Sequence, residues 1–237
     1  APHVPVFLIE DVALPSQPLG GGAEPLRELL GLEGRLALYV GNLQRYQGVE
    51  QAVRAMAQLP PALDITLVLI GGAPEDVARV RALVHELHVQ ERVYLLGPRP
   101  LAQLGGFLAQ ADILVSPRLR GSNTPMKIYS YMSSGTAILA TRIASHTQVL
   151  DDGCALLVEP NPQALATGFA ALAADGAMRA RLGAAARRRA AERYSVDAFR
   201  RKVAAAYQKL ETLGDRVAAR GGSPLPREAA VLPRRRD

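Results

Sequence analysis

The segment that most constrains the fold is residues 113–141, in which two short apolar runs enclose a polar loop and a helical pattern. The first run is 113–115, and the second, 137–140, begins shortly after Gly135. The spacing between them predicts a helix over 125–134 with proline at its first position, where a missing N–H is harmless. Strand, loop, helix and strand in this order form a βαβ crossover between two parallel strands of one sheet.

The polar residues of this segment fall where parallel sheets bind ligands, at the carboxyl end of a strand. Asn123 or Thr124 is expected to cap the helix, whose N-terminus attracts anions. Lys127 falls in the first helical turn, where a cation is unfavourable unless an anion lies nearby. Together with Arg120 in the preceding loop it predicts an anion-binding site, although each charge alone would also fit a solvated loop residue.

Strand-like and helix-like patterns alternate through most of the chain. Further apolar runs of strand length occupy 36–40, 65–70, 93–96 and 155–158. Helical spacing of apolar residues marks 48–59, 74–87, 101–110 and 163–174. Strands that alternate with helices in this way predict an α/β fold with a doubly wound parallel sheet. Glycine or a polar loop follows four of the strands, which predicts one ligand crevice at their carboxyl ends.

The two ends of the chain differ from this central region. Residues 1–34 are rich in Pro and Gly and predict a linker that follows a preceding domain, with one short helix near its end. Two C-terminal helices rich in Ala and Arg are predicted over 176–192 and 196–213, so the predicted domain is 35–213. Residues 214–237 predict a basic, disordered tail.

Charge is distributed unevenly along the chain. Residues 175–237 hold 16 Lys and Arg against 7 Asp and Glu, whereas the first 174 residues hold 12 against 15. A basic end suits peripheral contact with a membrane surface that carries anionic lipids, or serves solubility alone. No nucleic-acid-binding motif accompanies it, so no nucleic-acid partner is expected.

Three features indicate the compartment. No run of 18 apolar residues occurs, so no transmembrane helix is expected, and the first residues lack the pattern of a signal peptide. Cys154 is the only cysteine, which excludes an internal disulfide and fits a reducing compartment. We therefore expect a cytoplasmic protein, located at the inner face of the membrane if its basic end binds lipid.

Several short segments, taken in order, resemble one enzyme family. They are Tyr-Val-Gly with Gln-Gly-Val, Gly-Gly-Ala-Pro, Leu-Leu-Gly, Ala-Asp-Ile-Leu-Val-Ser-Pro, Tyr-Met-Ser-Ser-Gly-Thr-Ala-Ile-Leu-Ala-Thr and Leu-Leu-Val-Glu-Pro. In order and spacing they are similar to the C-terminal half of family-4 retaining glycosyltransferases, over about residues 35–210. The resemblance implies a Rossmann-like domain that is one half of a GT-B fold, with residues 1–34 as the interdomain linker.

In that family the C-terminal domain binds the nucleotide-sugar donor, and the N-terminal domain carries most of the acceptor site. The resemblance therefore implies a nucleotide-sugar as substrate, no further cofactor, and an acceptor domain as partner, either upstream in the same protein or in a separate chain. The implied donor-binding residues are Gly41, Asn42, Gln47, Gly48, Gly72, Gly97, Arg120, Asn123, Thr124, Lys127 and Ser130. His146, at the crevice edge after the fifth strand, is a candidate contact for sugar or phosphate, or else a loop histidine.

Four positions depart from the family pattern. Asn42 and Gln47 stand where the family has an Arg and a Lys that grip the donor diphosphate, and as neutral donors they would replace those cations. Ser122 and Ser130 stand where it has two glutamates, the second of which holds the donor ribose. Lys127, in contrast, matches the phosphate-binding lysine of some branches.

Two classes of function follow. The first is the donor-binding half of a glycosyltransferase, with retaining, metal-independent transfer to a glycan, lipid or other acceptor, and inactive without its acceptor domain. The second is a non-catalytic nucleotide-sugar-binding module or partner subunit, which the four departures favour. An NAD-dependent dehydrogenase fits poorly, because the loop after the first strand lacks Gly-x-Gly-x-x-Gly. No carboxylate pair, triad or metal-ligand cluster stands out, so no catalytic residue and no metal site are assigned.

Overall fold

The computed structural model describes residues 5–12 and 22–219, with side chains up to residue 213. These residues fall into two compact units. One comprises the described part of residues 11–195, and the other the described parts of residues 1–10 and 196–237. No helix within the described ranges is both long and apolar enough to cross a membrane.

The larger unit has six strands and eight α-helices in its described residues. The strands are β1 (Arg35–Val40), β2 (Ile65–Ile70), β3 (Val93–Gly97), β4 (Ile113–Ser116), β5 (Ala137–Thr141) and β6 (Leu156–Val158). The helices are α1 (Leu26–Leu30), α2 (Val49–Ala57), α3 (Pro74–Glu86), α4 (Leu104–Leu108), α5 (Met126–Ser134), α6 (Ala144–Thr147), α7 (Pro162–Ala174) and α8 (Gly176–Arg193). Short 3-10 helices at Arg45–Gln47 and Leu101–Gln103 precede α2 and α4.

All six strands are parallel and lie in the order β3-β2-β1-β4-β5-β6. In the centre of the sheet, Leu38 of β1 is opposite Val68 of β2 on one side and Leu114 of β4 on the other. Strands of such a sheet are buried on both faces, which is why they read as continuous apolar runs. The prediction of a doubly wound parallel sheet is confirmed, and the order of its strands reverses between β1 and β4.

Each face of the sheet has its own apolar core, because successive side chains of a strand point to opposite faces. Ala37 and Tyr39 of β1 join the core covered by α2, α3 and α7. Leu36 and Leu38 join the core covered by α1, α4, α5 and α8. Burying one leucine contributes about 1.5–3 kcal/mol, so the two layers together are the main source of stability.

The N-terminal part of the larger unit differs from the sequence prediction. Leu26 of α1 is fully buried in the core, with Leu30 and Leu32 packed against it, so the end of the predicted linker over 1–34 is part of the larger unit. Residues 5–12 have no regular secondary structure.

Two elements elsewhere in the larger unit also differ from prediction. The helix predicted over 101–110 is reduced to a 3-10 turn and the five residues of α4. Gly105 and Gly106 explain the short helix, because glycine weakens a helix by about 1 kcal/mol per residue. The sequence did not predict α6, since a single turn of four residues shows no apolar periodicity.

The smaller unit contains α9 (Val196–Ala219). This helix continues past Gly214, where the sequence predicted a disordered tail to begin, so the predicted boundary is wrong. A single glycine costs a helix only about 1 kcal/mol, and the alanines and the arginine that follow it are good helix formers. The rest of the predicted tail, 220–237, lies outside the described residues. Within the same unit, Lys202 Nζ lies 2.7 Å from Glu10 Oε2.

Candidate functional site

The candidate site lies at the carboxyl ends of β1 and β4, where the strand order reverses. In open parallel sheets a crevice opens at this point, because the chain leaves the two neighbouring strands towards opposite faces. Two loops line it. The loop 41–48 connects β1 to α2, and the loop 117–125 connects β4 to α5.

Two glycines allow these loops to approach each other closely. Gly48 has φ 69°, and a Cβ on it would lie 1.9 Å from the carbonyl oxygen of Pro117 in the other loop. Gly41 has φ 147°, and a Cβ on it would lie 2.7 Å from Lys127 Nζ. Side chains rarely adopt such φ values, which favours glycine at both positions, and at Gly48 a Cβ would also clash with the backbone of Pro117. Gly41 and Gly48 were both predicted as donor-binding residues. In the ligand-free structure the groups closest to them belong to the chain itself, Lys127 Nζ beside Gly41 and the Pro117 carbonyl beside Gly48.

The N-terminus of α5 has no side-chain cap, and the predicted capping by Asn123 or Thr124 is wrong. The helix begins at Met126, with Pro125 in an extended conformation before it. The predicted caps are bonded elsewhere. Thr124 Oγ1 donates to Gln148 Oε1 at 2.9 Å, and Asn123 Oδ1 accepts from the Arg118 guanidinium at 3.2 Å. In the first turn of α5 the Ile128 N–H donates to the Pro125 carbonyl at 2.9 Å, whereas the N–H groups of Met126 and Lys127 receive no side-chain cap and can bind an anion.

Lys127 is a half-buried cation with only neutral contacts in the described part of the chain. Its Nζ lies 3.8 Å from the centre of the Tyr39 ring and 3.5 Å from Gln47 Oε1. No carboxylate among the described residues lies within 4.0 Å of it. Burial first, and then the positive charge of Arg118, lower the pKa of Lys127 to about 7. A bound anion would oppose both effects and raise the pKa of Lys127 again.

Arg118 is a second buried cation of the site, and the sequence prediction did not assign it a role. Its side chain is only 7% exposed. Its Nε donates to the Arg120 carbonyl at 2.9 Å and its Nη1 to the Asn123 carbonyl at 3.0 Å. Its Cζ lies 5.3 Å from the centre of the Tyr46 ring, in the other loop. The two cations make this end of the crevice positive.

His146 is buried in the ligand-free chain, with both ring nitrogens bonded within the protein. It is fully buried, and its Nε2 lies 2.9 Å from Ser116 Oγ, while its Nδ1 lies 2.7 Å from the Thr141 carbonyl oxygen. Nδ1 therefore carries the proton and donates it, and Nε2 accepts from the serine. Burial lowers the pKa of His146 to about 4, against the opposing effect of its bond to Thr141. The structure does not support the predicted contact with sugar or phosphate, because both ring nitrogens are engaged within the protein.

The other predicted site residues lie in different surroundings. Gln47 is buried beside Lys127, and Ser130 is buried on α5. Asn42 and Arg120 are exposed; the carbonyl of Asn42 accepts from the Tyr39 hydroxyl at 2.5 Å. Gly72 and Gly97 follow β2 and end β3, where Gly71 N–H donates to the Gly97 carbonyl at 2.8 Å. The structure thus brings Gly41, Gln47 and Lys127 together.

Two contacts that support the loop 41–48 were not predicted. Tyr39 is the aromatic surface beneath Lys127 Nζ, and its position in an apolar strand indicated only a core residue. Arg79 of α3 donates from Nη2 to the Leu43 carbonyl at 2.6 Å and from Nε to Glu50 Oε1 at 2.8 Å. Asp76, three residues before Arg79 on the same helix, is a local partner, but Glu50 and Leu43 lie 29 and 36 residues away, so no local sequence signal connects Arg79 to the loop.

Taken together, the site offers a lysine, a buried guanidinium and an uncapped helix N-terminus. All three favour a ligand with negative charge, and an anion bound there would displace no carboxylate of the described residues from Lys127 or Arg118. In the described residues, no group of three or more His, Cys, Asp and Glu is placed to hold a metal ion.

Comparison with known proteins places the chain in a family. The family described as glycosyl transferases group 1 matches residues 26–189. The D-inositol 3-phosphate glycosyltransferase of Xylanimonas cellulosilytica is 34% identical over 169 residues, which are 68% of this chain and 40% of that protein. The chain therefore spans less than half of the length of this relative.

Solved structures show the same fold. Anabaena HepE in complex with UDP matches 78% of this chain and 51% of its own, with a TM-score of 0.70 and 22% identity. The C-terminal domain of a group 1 glycosyl transferase, LpcC from Francisella tularensis, matches 79% of this chain and 97% of its own, with a TM-score of 0.62 and 18% identity. The matched family covers well over half of the chain, from α1 into α8. This chain belongs to the family of group 1 glycosyl transferases.

Proposed function

We propose that this chain is the C-terminal, donor-binding half of a family-4 retaining glycosyltransferase. The observation that carries the proposal is Lys127, a half-buried lysine at the switch point of the sheet whose Nζ lies beside Tyr39 and Gln47 and has no carboxylate partner among the residues that the structure describes. Two facts support the assignment to one half of an enzyme. The chain spans 40% of one relative, and its fold matches 97% of a solved C-terminal domain.

In this proposal the donor diphosphate lies between the loop 41–48 and the N-terminus of α5. Lys127 and the N–H groups of the first turn of α5 would hold the phosphates, and Arg118 would add positive potential from beneath. The same groups would stabilise the negative charge that develops on the diphosphate as the bond to the sugar breaks. The acceptor domain, in the same protein or in a separate chain, would bring the glycan, lipid or other acceptor to the sugar.

This chain should bind a nucleoside diphosphate in the absence of any partner protein. UDP is the first choice, since HepE was solved with it, and GDP and ADP are the alternatives. Isothermal titration calorimetry and thermal-shift measurements with each of the three check this prediction. Absence of both heat and thermal shift with all three, at millimolar ligand, would exclude a donor site.

The same polypeptide should show negligible transferase turnover, because the acceptor domain supplies most of the acceptor site in this proposal. The measurement is release of nucleoside diphosphate from UDP-, GDP- and ADP-linked sugars in the presence of a purified acceptor. Hydrolysis of the donor without acceptor provides the background rate. Robust transfer by this polypeptide alone would contradict the division into halves.

A further inference from the structure

The side chain of Arg118 closes the loop between β4 and α5 upon itself. Its three nitrogens bond three acceptors of that loop: Nε the Arg120 carbonyl, Nη1 the Asn123 carbonyl and Nη2 the Asn123 Oδ1. Gly121 lies directly against the guanidinium, since a Cβ on it would be 2.2 Å from Nη2. The planar fork of arginine can satisfy several acceptors at once in a fixed geometry. The shape of residues 118–124 therefore depends on this one side chain.

Arg118 also joins this loop to the loop after β1. Its Cζ lies over the Tyr46 ring, and the neighbouring Leu119 N–H donates to the Tyr46 carbonyl at 2.9 Å. The close approach of Gly48 to Pro117 adds a third point of contact. The two loops that line the crevice are thus fixed to each other around Arg118.

Buried polar groups hold the backbone of Arg118 from the opposite side. Its carbonyl accepts a hydrogen bond from Thr141 Oγ1 at the end of β5. Thr141 in turn contacts His146, which is bonded to Ser116 at the end of β4. Thr141, His146 and Ser116 are all fully buried. The main chain at Arg118 is therefore anchored to two strands of the sheet, and its side chain is free to order the loop above.

The charge of Arg118 is not used in an ion pair within the described residues, because no carboxylate lies within 4.0 Å of it. Its guanidinium N–H groups instead donate to acceptors in the loop 118–124. We propose that Arg118 is a positioning residue of the donor site, which holds the loop 118–124 so that α5 and Lys127 face the diphosphate, without touching the diphosphate itself. The proposal rests on the proposed function only for the identity of the ligand.

The test compares the wild-type chain with Arg118→Lys, which keeps the charge and loses the fork. Arg181→Lys, at an exposed arginine of α8, is the matched control. In the ligand-free chain, Arg118→Lys should speed hydrogen exchange of the amides in 119–124 and 44–48, with the amides of β1 and β5 unchanged. Its affinity for UDP, or for whichever of GDP and ADP binds better, should fall by about tenfold or more, while affinity for the nucleoside changes less than about twofold.

The two readouts separate the two hypotheses. If no nucleoside diphosphate binds the wild type, the proposed function fails, and the exchange measurement still decides whether Arg118 orders the loops. Unchanged exchange in both loops, or equal loss of nucleoside and diphosphate, would overturn the role of Arg118. Should Arg118→Lys fail to fold, Asn123→Ala removes only the Oδ1 acceptor and should give a smaller effect in the same direction.

Discussion

Replacing Lys127 with alanine should weaken binding of a nucleoside diphosphate by about 1.5–3 kcal/mol, the range for hydrogen bonds to charged groups. Affinity for the nucleoside without phosphates should barely change, because in the proposed site Lys127 holds the phosphates and not the base or ribose. Calorimetric titration of the variant with both ligands measures the difference directly.

The matched control is Lys209→Ala, at an exposed lysine of α9 far along the chain, which should bind both ligands as the wild type does. The thermal stability of ligand-free Lys127→Ala should be unchanged or slightly raised, since a cation in the first helical turn opposes the helix dipole. Equal loss of nucleoside and diphosphate would indicate a folding defect. No loss of affinity for either ligand would show that Lys127 does not hold the phosphates.

The free energy of unfolding should fall by roughly 3 kcal/mol through His146 alone as the pH falls from 6.5 to 4. An unfolded histidine with a pKa of 6.5 takes up a proton in this range, whereas the buried ring stays neutral until about pH 4. The unfolded state therefore binds more protons, and acid favours it. The contribution of His146 is complete above pH 6.5 and is lost as the pH passes through 4.

Denaturant unfolding across this pH range, in the wild type and in His146→Asn, measures the effect. The variant lacks the titrating ring, so its unfolding free energy should depend less steeply on pH, whatever its absolute stability. Equal slopes in the wild type and His146→Asn would contradict a neutral, buried ring.

The fold could be predicted from the sequence because each strand of a buried parallel sheet carries its own signal, an apolar run. Strands covered on both faces must be apolar throughout, so runs such as 65–70 and 113–115 are visible without any knowledge of their partners. The error at Gly214 has a local cause as well. A single glycine near the end of a helix resembles a stop signal, but its cost is too small to end a helix that its neighbours favour.

The site was only partly predictable, because its decisive contacts join distant residues. Lys127 was recognised from its place in the first helical turn, but its proximity to Gln47 spans 80 residues. The sequence prediction assigned Arg118 no role, and only the structure shows its guanidinium bonded to three acceptors. Those same bonds occupy Asn123, which is why the predicted cap of α5 failed. Position alone suggested His146 as a ligand contact, and only burial shows its structural role.

The most direct test of the diphosphate site is a crystal structure of the chain with the nucleoside diphosphate that binds it best. We predict phosphate oxygens within about 3 Å of Lys127 Nζ and of the first N–H groups of α5. The loop 118–124 should keep its shape, with the Arg118 guanidinium still bonded to Asn123. A nucleotide bound away from the crevice between β1 and β4, or one whose phosphates leave Lys127 without a partner, would contradict the proposed site.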